Sequence, residues 1–194
     1  MEVLSRTTSR IAEGEVEQLG CIGNVELDEA TYYRIINNKT AELFAGACES
    51  AAIIANADPS HSDSAREYGQ HLGLAFQLVD DYQDYAGSES SLGKRVGDDL
   101  AEGKLTLPLI EALRHSREHS REDYNWLVGI IESRNRDEID GVLRLIDQSG
   151  GLQKTREAAV YQVEQAERAL QSLTDTPHRE QLKQIARLVL ERSH

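Results

Sequence analysis

The sequence predicts an all-α fold. Three observations carry that expectation. Apolar residues recur at helical spacing through nearly the whole length, and no stretch alternates in the manner of a strand. Only three prolines occur in 194 residues, which leaves room for long helices. Aromatic residues make up 5% of the chain, low for a sheet protein. The length suits one helical domain over residues 1–194, with no linker, repeat or low-complexity tract to divide it.

The elements follow in order. The spacing predicts a helix over 3–19, with Val3, Leu4, Ile11, Val16 and Leu19 on its apolar side, ended by Gly20 to Gly23. Glu13 and Glu15 read as surface charges. A second helix opens at Leu27-Asp28-Glu29 with Asp28 as N-cap, and runs to about Asn56, before Asp58-Pro59. Its second half is crowded with small residues (Ala41, Ala45, Gly46, Ala47, Ala51, Ala52, Ala55), a composition for close helix packing. A third helix begins at Ser60 to Ser64 and continues to Tyr85. The stretch from 92 to 103, broken by Gly93, Gly97 and Gly103, reads as irregular. Thr106-Leu107-Pro108 starts a fourth helix, with proline in its first turn. Further helices are predicted over 121–133, 136–148, 152–173 and 177–192, with Gly150-Gly151 as a stop between two of them.

Charge and cysteine content exclude several function classes. The net charge of −13 argues against a nucleic-acid groove. Cys21 and Cys48 are too few and too isolated for a disulfide framework or a zinc site. His115, His119, His178 and His194 lack metal-ligand spacing and read as surface residues. No apolar run approaches the ~18 residues of a membrane span. Glu2, Arg6, Arg10, Glu13, Glu15 and Glu17 argue against a signal peptide, so a cytoplasmic protein is expected.

The chemistry concentrates between Gly69 and Leu109, centred on Asp80-Asp81-Tyr82-Gln83-Asp84. At helical spacing Gln77, Asp80, Asp81 and Asp84 fall within roughly a 100° arc. Such a string on an acidic chain is ordinarily a solvated helix face. Here Leu72, Leu74, Ala75, Phe76, Leu78 and Val79 precede it, so the helix is expected to be buried on much of its circumference. Carboxylates in such a helix repel one another and are costly to bury unless paired or metal-bound. All-oxygen ligation suits Mg²⁺. Gly69 and Gly73, near the same face, predict a close approach by another helix. Lys94, Arg95 and Lys104 lie in the connection that follows and could fold back toward a phosphate.

The combined pattern, F-Q-L-V-D-D-Y-Q-D, then G-K, then G-D-D-L-x-E-G-K-x-T-L-P-L, resembles the second aspartate-rich region of the trans-isoprenyl diphosphate synthases. Lys39-Thr40-Ala41 resembles that family's Lys-Thr motif. Ala12-Glu13-Gly14-Glu15 with Gln18-Leu19 resembles its long-chain members, particularly the bacterial octaprenyl diphosphate synthases. The resemblance implies an isoprenoid-synthase-type helical bundle. It also implies a prenyltransferase that condenses isopentenyl diphosphate with an allylic diphosphate to make a long-chain polyprenyl diphosphate. By the same resemblance, Asp80, Asp81 and Asp84 serve magnesium. Lys39, Thr40, Gln77, Lys94 and Lys104 hold the allylic diphosphate, and Lys39 and the three aspartates are the candidate catalytic set. Asp98 and Asp99 are weaker candidates that could simply hold the loop lysines.

The family's first aspartate-rich motif and its basic isopentenyl-diphosphate residues do not occur among these 194 residues. The expectation is a C-terminal portion lacking the bundle's opening helices, inactive by itself and prone to form a homodimer or other oligomer. Two rivals stand beside it. One is a non-catalytic prenyl-diphosphate-binding or partner subunit. The other is a purely structural helical protein, against which the acid and lysine set argues.

Overall fold

The computed structural model describes residues 1–86 and 96–191. Every regular element among them is helical. The helices are α1 (Glu2–Gly20), α2 (Glu29–Ile36), α3 (Glu42–Ile54), α4 (Pro59–Ala86), α5 (Asp98–Glu102), α6 (Leu107–His119), α7 (Arg121–Ser133), α8 (Ile139–Ser149), α9 (Gly151–Ala169) and α10 (Pro177–Glu191). A π-helical turn, Asn37–Ala41, joins α2 to α3, so the predicted second helix is one continuous rod with a widened turn in its middle. Short 3₁₀ turns precede α8 and follow α9. None of the described helices is long and apolar enough to cross a membrane.

The chain divides into two compact units. The first comprises Met1–Glu17, Arg34–Val79 and Ala158–His194; the second comprises Gln18–Tyr33 and Asp80–Glu157.

In the first unit, α1 departs from its expected orientation. The predicted apolar side is largely exposed: Leu4 is 58%, Val16 69% and Leu19 65% accessible. The residues α1 buries are small, Thr7 and Gly14. A Cβ on Gly46 would collide with the Thr7 side chain, and one on Gly14 would lie 2.5 Å from the Lys39 main-chain nitrogen. Backbone proximity, rather than apolar side-chain size, thus decides which face packs. Gly73 behaves as its spacing predicts, since its Cβ would sit 2.5 Å from the Ala41 Cα. A charged network ties α1, α3 and α4 together. Arg66 donates to both oxygens of buried Glu42 (2.9 and 2.7 Å) and to Glu49 (3.1 Å), and Arg6 also pairs with Glu49. Ala166, Leu170 and Ala186 add to this unit's buried set.

In the second unit, Asp28 caps α2 as predicted, accepting the Thr31 N–H at 2.8 Å. Helix α6 packs against α7 and α8 and supplies the fully buried Leu107, Leu109 and Ala112. Glu111 is buried on α6 and paired with Lys154 (2.7 Å) and Arg114 (2.9 Å), while Lys154 also reaches Glu29 (2.6 Å). The part of the 92–103 stretch described from 96 onward is not wholly irregular, because α5 forms within it. Gly97 (φ 80°) and Gly103 (φ 74°) bracket α5 in left-handed conformations that favour glycine. Five residues are too few to show a helical period, so the punctuation was legible and the helix was not.

Candidate functional site

Helix α4 carries the acidic cluster near its C-terminal end. Leu72, Leu74, Ala75, Leu78 and Val79 are buried along it, as the apolar run predicts. Asp81 is as buried as these, at 2% accessible, and Asp80 and Asp84 are half-buried. The cluster is therefore not a solvated face.

Within the second unit Asp81 and Asp84 have distinct settings. The Tyr32 hydroxyl donates to Asp81 Oδ2 at 2.5 Å, and Tyr32 is itself 2% accessible. Burial, then the adjacent Asp81 charge, holds the Tyr32 phenol well above its ordinary range, so the proton stays on the tyrosine and the carboxylate accepts. Asp84 receives the first turn of α5. Its Oδ1 accepts the Asp98 N–H and its Oδ2 the Asp99 N–H, both at 3.1 Å, and its main-chain carbonyl accepts the Gly97 N–H at 2.9 Å. A carboxylate at a helix N-terminus is favourable to the exposed N–H groups there. Even so, burial and the neighbouring Asp99 and Asp98 carboxylates raise the Asp84 pKa to about 7, against the lowering effect of those two N–H bonds. Negative charge is in excess in this partly desolvated place.

The segment that follows is held from a second side. Arg136 pairs with Asp98 at 2.7 Å and donates twice to the Val96 carbonyl, at 3.0 and 2.8 Å. The Lys104 N–H donates to the Asp99 carbonyl at 2.9 Å, and its ammonium pairs with Glu102. Asp98 is thus held by Arg136, and Asp99 reaches Lys104 through its main chain. Lys94 and Arg95 lie outside the described residues.

In the first unit, Lys39 and Thr40 sit in the π-helical turn, a widened turn of a kind found often at functional sites. Thr40 donates to Gln77 Oε1 at 2.9 Å, which brings two of the predicted diphosphate contacts together. Gln70 braces the same turn through Asn37 at 2.8 Å.

Among the described residues no three His, Cys, Asp or Glu side chains converge closely enough to form a metal cage by themselves. Magnesium does not require one, since it commonly takes one or two carboxylates and fills its octahedron with water and phosphate oxygens. The excess negative charge around Asp84 is the kind of environment a divalent cation relieves, so the donor set fits that ion.

Two residues of this arrangement lay outside the sequence reading. Tyr32 is 49 positions from Asp81, and nothing in Tyr32-Tyr33 signals a carboxylate partner. Arg136 lies in a stretch that reads as functionally quiet.

Solved structures similar to this chain include polyprenyl diphosphate synthases. A decaprenyl diphosphate synthase from Rhodobacter capsulatus superposes with a TM-score of 0.91 at 38% identity, over 100% of this chain and 59% of that one. A polyprenyl synthase from Caulobacter crescentus, solved with calcium and isoprenyl diphosphate, gives 0.90 at 39% identity, over 100% and 58%. The class is thus the all-α isoprenoid-synthase fold. Residues 1–146 match the polyprenyl synthetase family, and the chain belongs to that family. The octaprenyl diphosphate synthase of Escherichia coli is 40% identical over 193 residues, 99% of this chain and 59% of that protein; that of Haemophilus influenzae is 37% identical over 194. The chain spans about 59% of the length of these relatives.

Proposed function

We propose that the chain serves a chain-elongating prenyltransferase that condenses isopentenyl diphosphate with an allylic diphosphate to give a long-chain polyprenyl diphosphate. The observation that supports this best is the partly buried acidic cluster of α4, whose excess charge calls for a cation. Membership of the polyprenyl synthetase family and the octaprenyl diphosphate synthase relatives support the choice of substrate class.

The physical problem is the leaving diphosphate, which departs with several negative charges. When bound at Asp80, Asp81 and Asp84, Mg²⁺ would supply electrostatic stabilisation of that group. Lys39 adds a fixed positive charge, and Gln77 donates its amide N–H groups to the phosphate oxygens. Thr40 turns its one hydroxyl proton from Gln77 Oε1 to them when the diphosphate binds, and Lys94 and Lys104 neutralise them. Donors fixed in advance cost no reorganisation at the moment of bond breaking, which is why this term is ordinarily large. Asp98 and Asp99 act on the connection itself, through Arg136 and the Lys104 N–H. A cytoplasmic location and assembly as a homodimer or other oligomer belong to the same reading; the exposed Leu4, Val16 and Leu19 support assembly.

All the assigned contacts serve the allylic diphosphate, so binding is the suitable readout for these 194 residues. Calorimetry with an inert allylic diphosphate analogue, with and without Mg²⁺, tests the reading. Metal-dependent binding that is lost in Asp81→Ala is expected. Binding that ignores the metal, or survives Asp81→Ala unchanged, would refute it.

A further inference from the structure

We propose that Tyr32, which lies outside every motif of the sequence, is a positioning residue for Asp81: its buried hydroxyl orients that carboxylate and so sets the divalent-cation affinity of the acidic helix. The inference rests on the reading of Asp81 as part of a metal site.

The geometry is specific. The Tyr32 hydroxyl lies 2.5 Å from Asp81 Oδ2, and both residues are 2% accessible. Hydrogen bonds to ionised acceptors are short and roughly twice as strong as neutral ones. Turning Asp81 about its side chain would break this bond where water is not at hand to replace it. The phenol is in turn held in place. Asp28 caps α2 through the Thr31 N–H at 2.8 Å, and its carbonyl accepts the Tyr32 N–H at 3.0 Å. The Tyr33 ring meets the Tyr32 ring edge-on, with centroids 5.4 Å apart. The start of α2 therefore acts as a rigid support for one oxygen of a carboxylate on α4. Partners of this kind commonly change metal affinity by about 10–100-fold when removed.

The test is titration of the 194-residue chain with Mn²⁺, read by the electron paramagnetic resonance signal of the free ion. The variants are Tyr32→Phe, Asp81→Asn, the double variant, and Tyr68→Phe as control. Tyr68 is also a buried tyrosine, but its hydroxyl donates to the Leu182 carbonyl at 2.9 Å. Tyr32→Phe is expected to weaken Mn²⁺ binding by about 10-fold or more. Tyr68→Phe should leave it unchanged, and Tyr32→Phe should add nothing in the Asp81→Asn background. Wild-type affinity in Tyr32→Phe overturns the proposal, as does an equal loss in Tyr68→Phe or the same loss in both Asp81 backgrounds. A wild-type chain with no Asp81-dependent Mn²⁺ binding overturns the metal reading and this inference together. If Tyr32→Phe does not fold, the wild-type chain labelled with ring-¹³C tyrosine serves instead, with Tyr32 assigned through its contacts to the Tyr33 ring. Movement of the Tyr32 Cζ resonance on adding Mg²⁺ supports the proposal, and an unmoved resonance overturns it.

Discussion

Gly73→Ala tests whether close backbone approach holds the first unit together. The added Cβ would lie 2.5 Å from the Ala41 Cα and 3.1 Å from both the Ala41 Cβ and the Phe44 Cδ2. Carbon atoms in contact normally sit about 3.5–4.0 Å apart, so α4 and the turn at Ala41 must separate by about 1 Å. Overpacking of this kind costs about 1–3 kcal/mol. The nearest atom is main chain and cannot swing aside, which puts the cost toward the upper end. Alanine returns about 1 kcal/mol of helix propensity. The net expectation is a loss of about 1–2 kcal/mol, or about 2–8 °C in thermal midpoint for a chain of this size. Gly129 on α7 is the matched control, since a Cβ there meets nothing within 4 Å. Gly129→Ala should gain about 0.5–1 kcal/mol. Thermal unfolding followed by helical circular dichroism compares the two. A Gly73→Ala midpoint at or above wild type would refute the argument, because propensity would then outweigh the contact.

Three further outcomes are expected. Arg66→Ala strips buried Glu42 of its bidentate partner and should cost about 3 kcal/mol in urea unfolding, whereas replacing both, as Arg66→Met with Glu42→Leu, should recover much of that loss. Glu111 is pulled toward protonation by burial, but the Arg114 and Lys154 bonds outweigh this and hold its pKa below the ordinary range. Its pairing therefore stabilises the fold above the unfolded value of about 4.3 and is lost as pH falls through the lower folded value; Glu111→Gln should flatten the acid limb of a stability–pH profile measured at fixed salt. Lys104→Ala should weaken metal-dependent diphosphate binding more than Arg95→Ala, and equal losses under identical salt would contradict the assignment of Lys104.

The helices were legible in the sequence because each depends on local pattern. The 121–133 helix, the Asp28 cap and the Gly150 stop follow from spacing, a side-chain acceptor and a left-handed glycine, all within one turn of chain. The aspartates of α4, with Gln77, were legible as a shared face for the same reason. Local pattern could not choose which face of α1 packs. The apolar stripe pointed to Val16 and Leu19, while the structure buries Thr7 and Gly14, because two backbones can approach only where side chains are small. Nor could it show that the helix widens at Lys39 and Thr40, since no residue pattern within Asn37–Ala41 signals a π turn. The differing settings of the aspartates were likewise a tertiary matter. Asp81 is held by a tyrosine 49 residues away and Asp84 by the N–H groups of α5, partners that sequence distance hides and that only folding brings within hydrogen-bond reach.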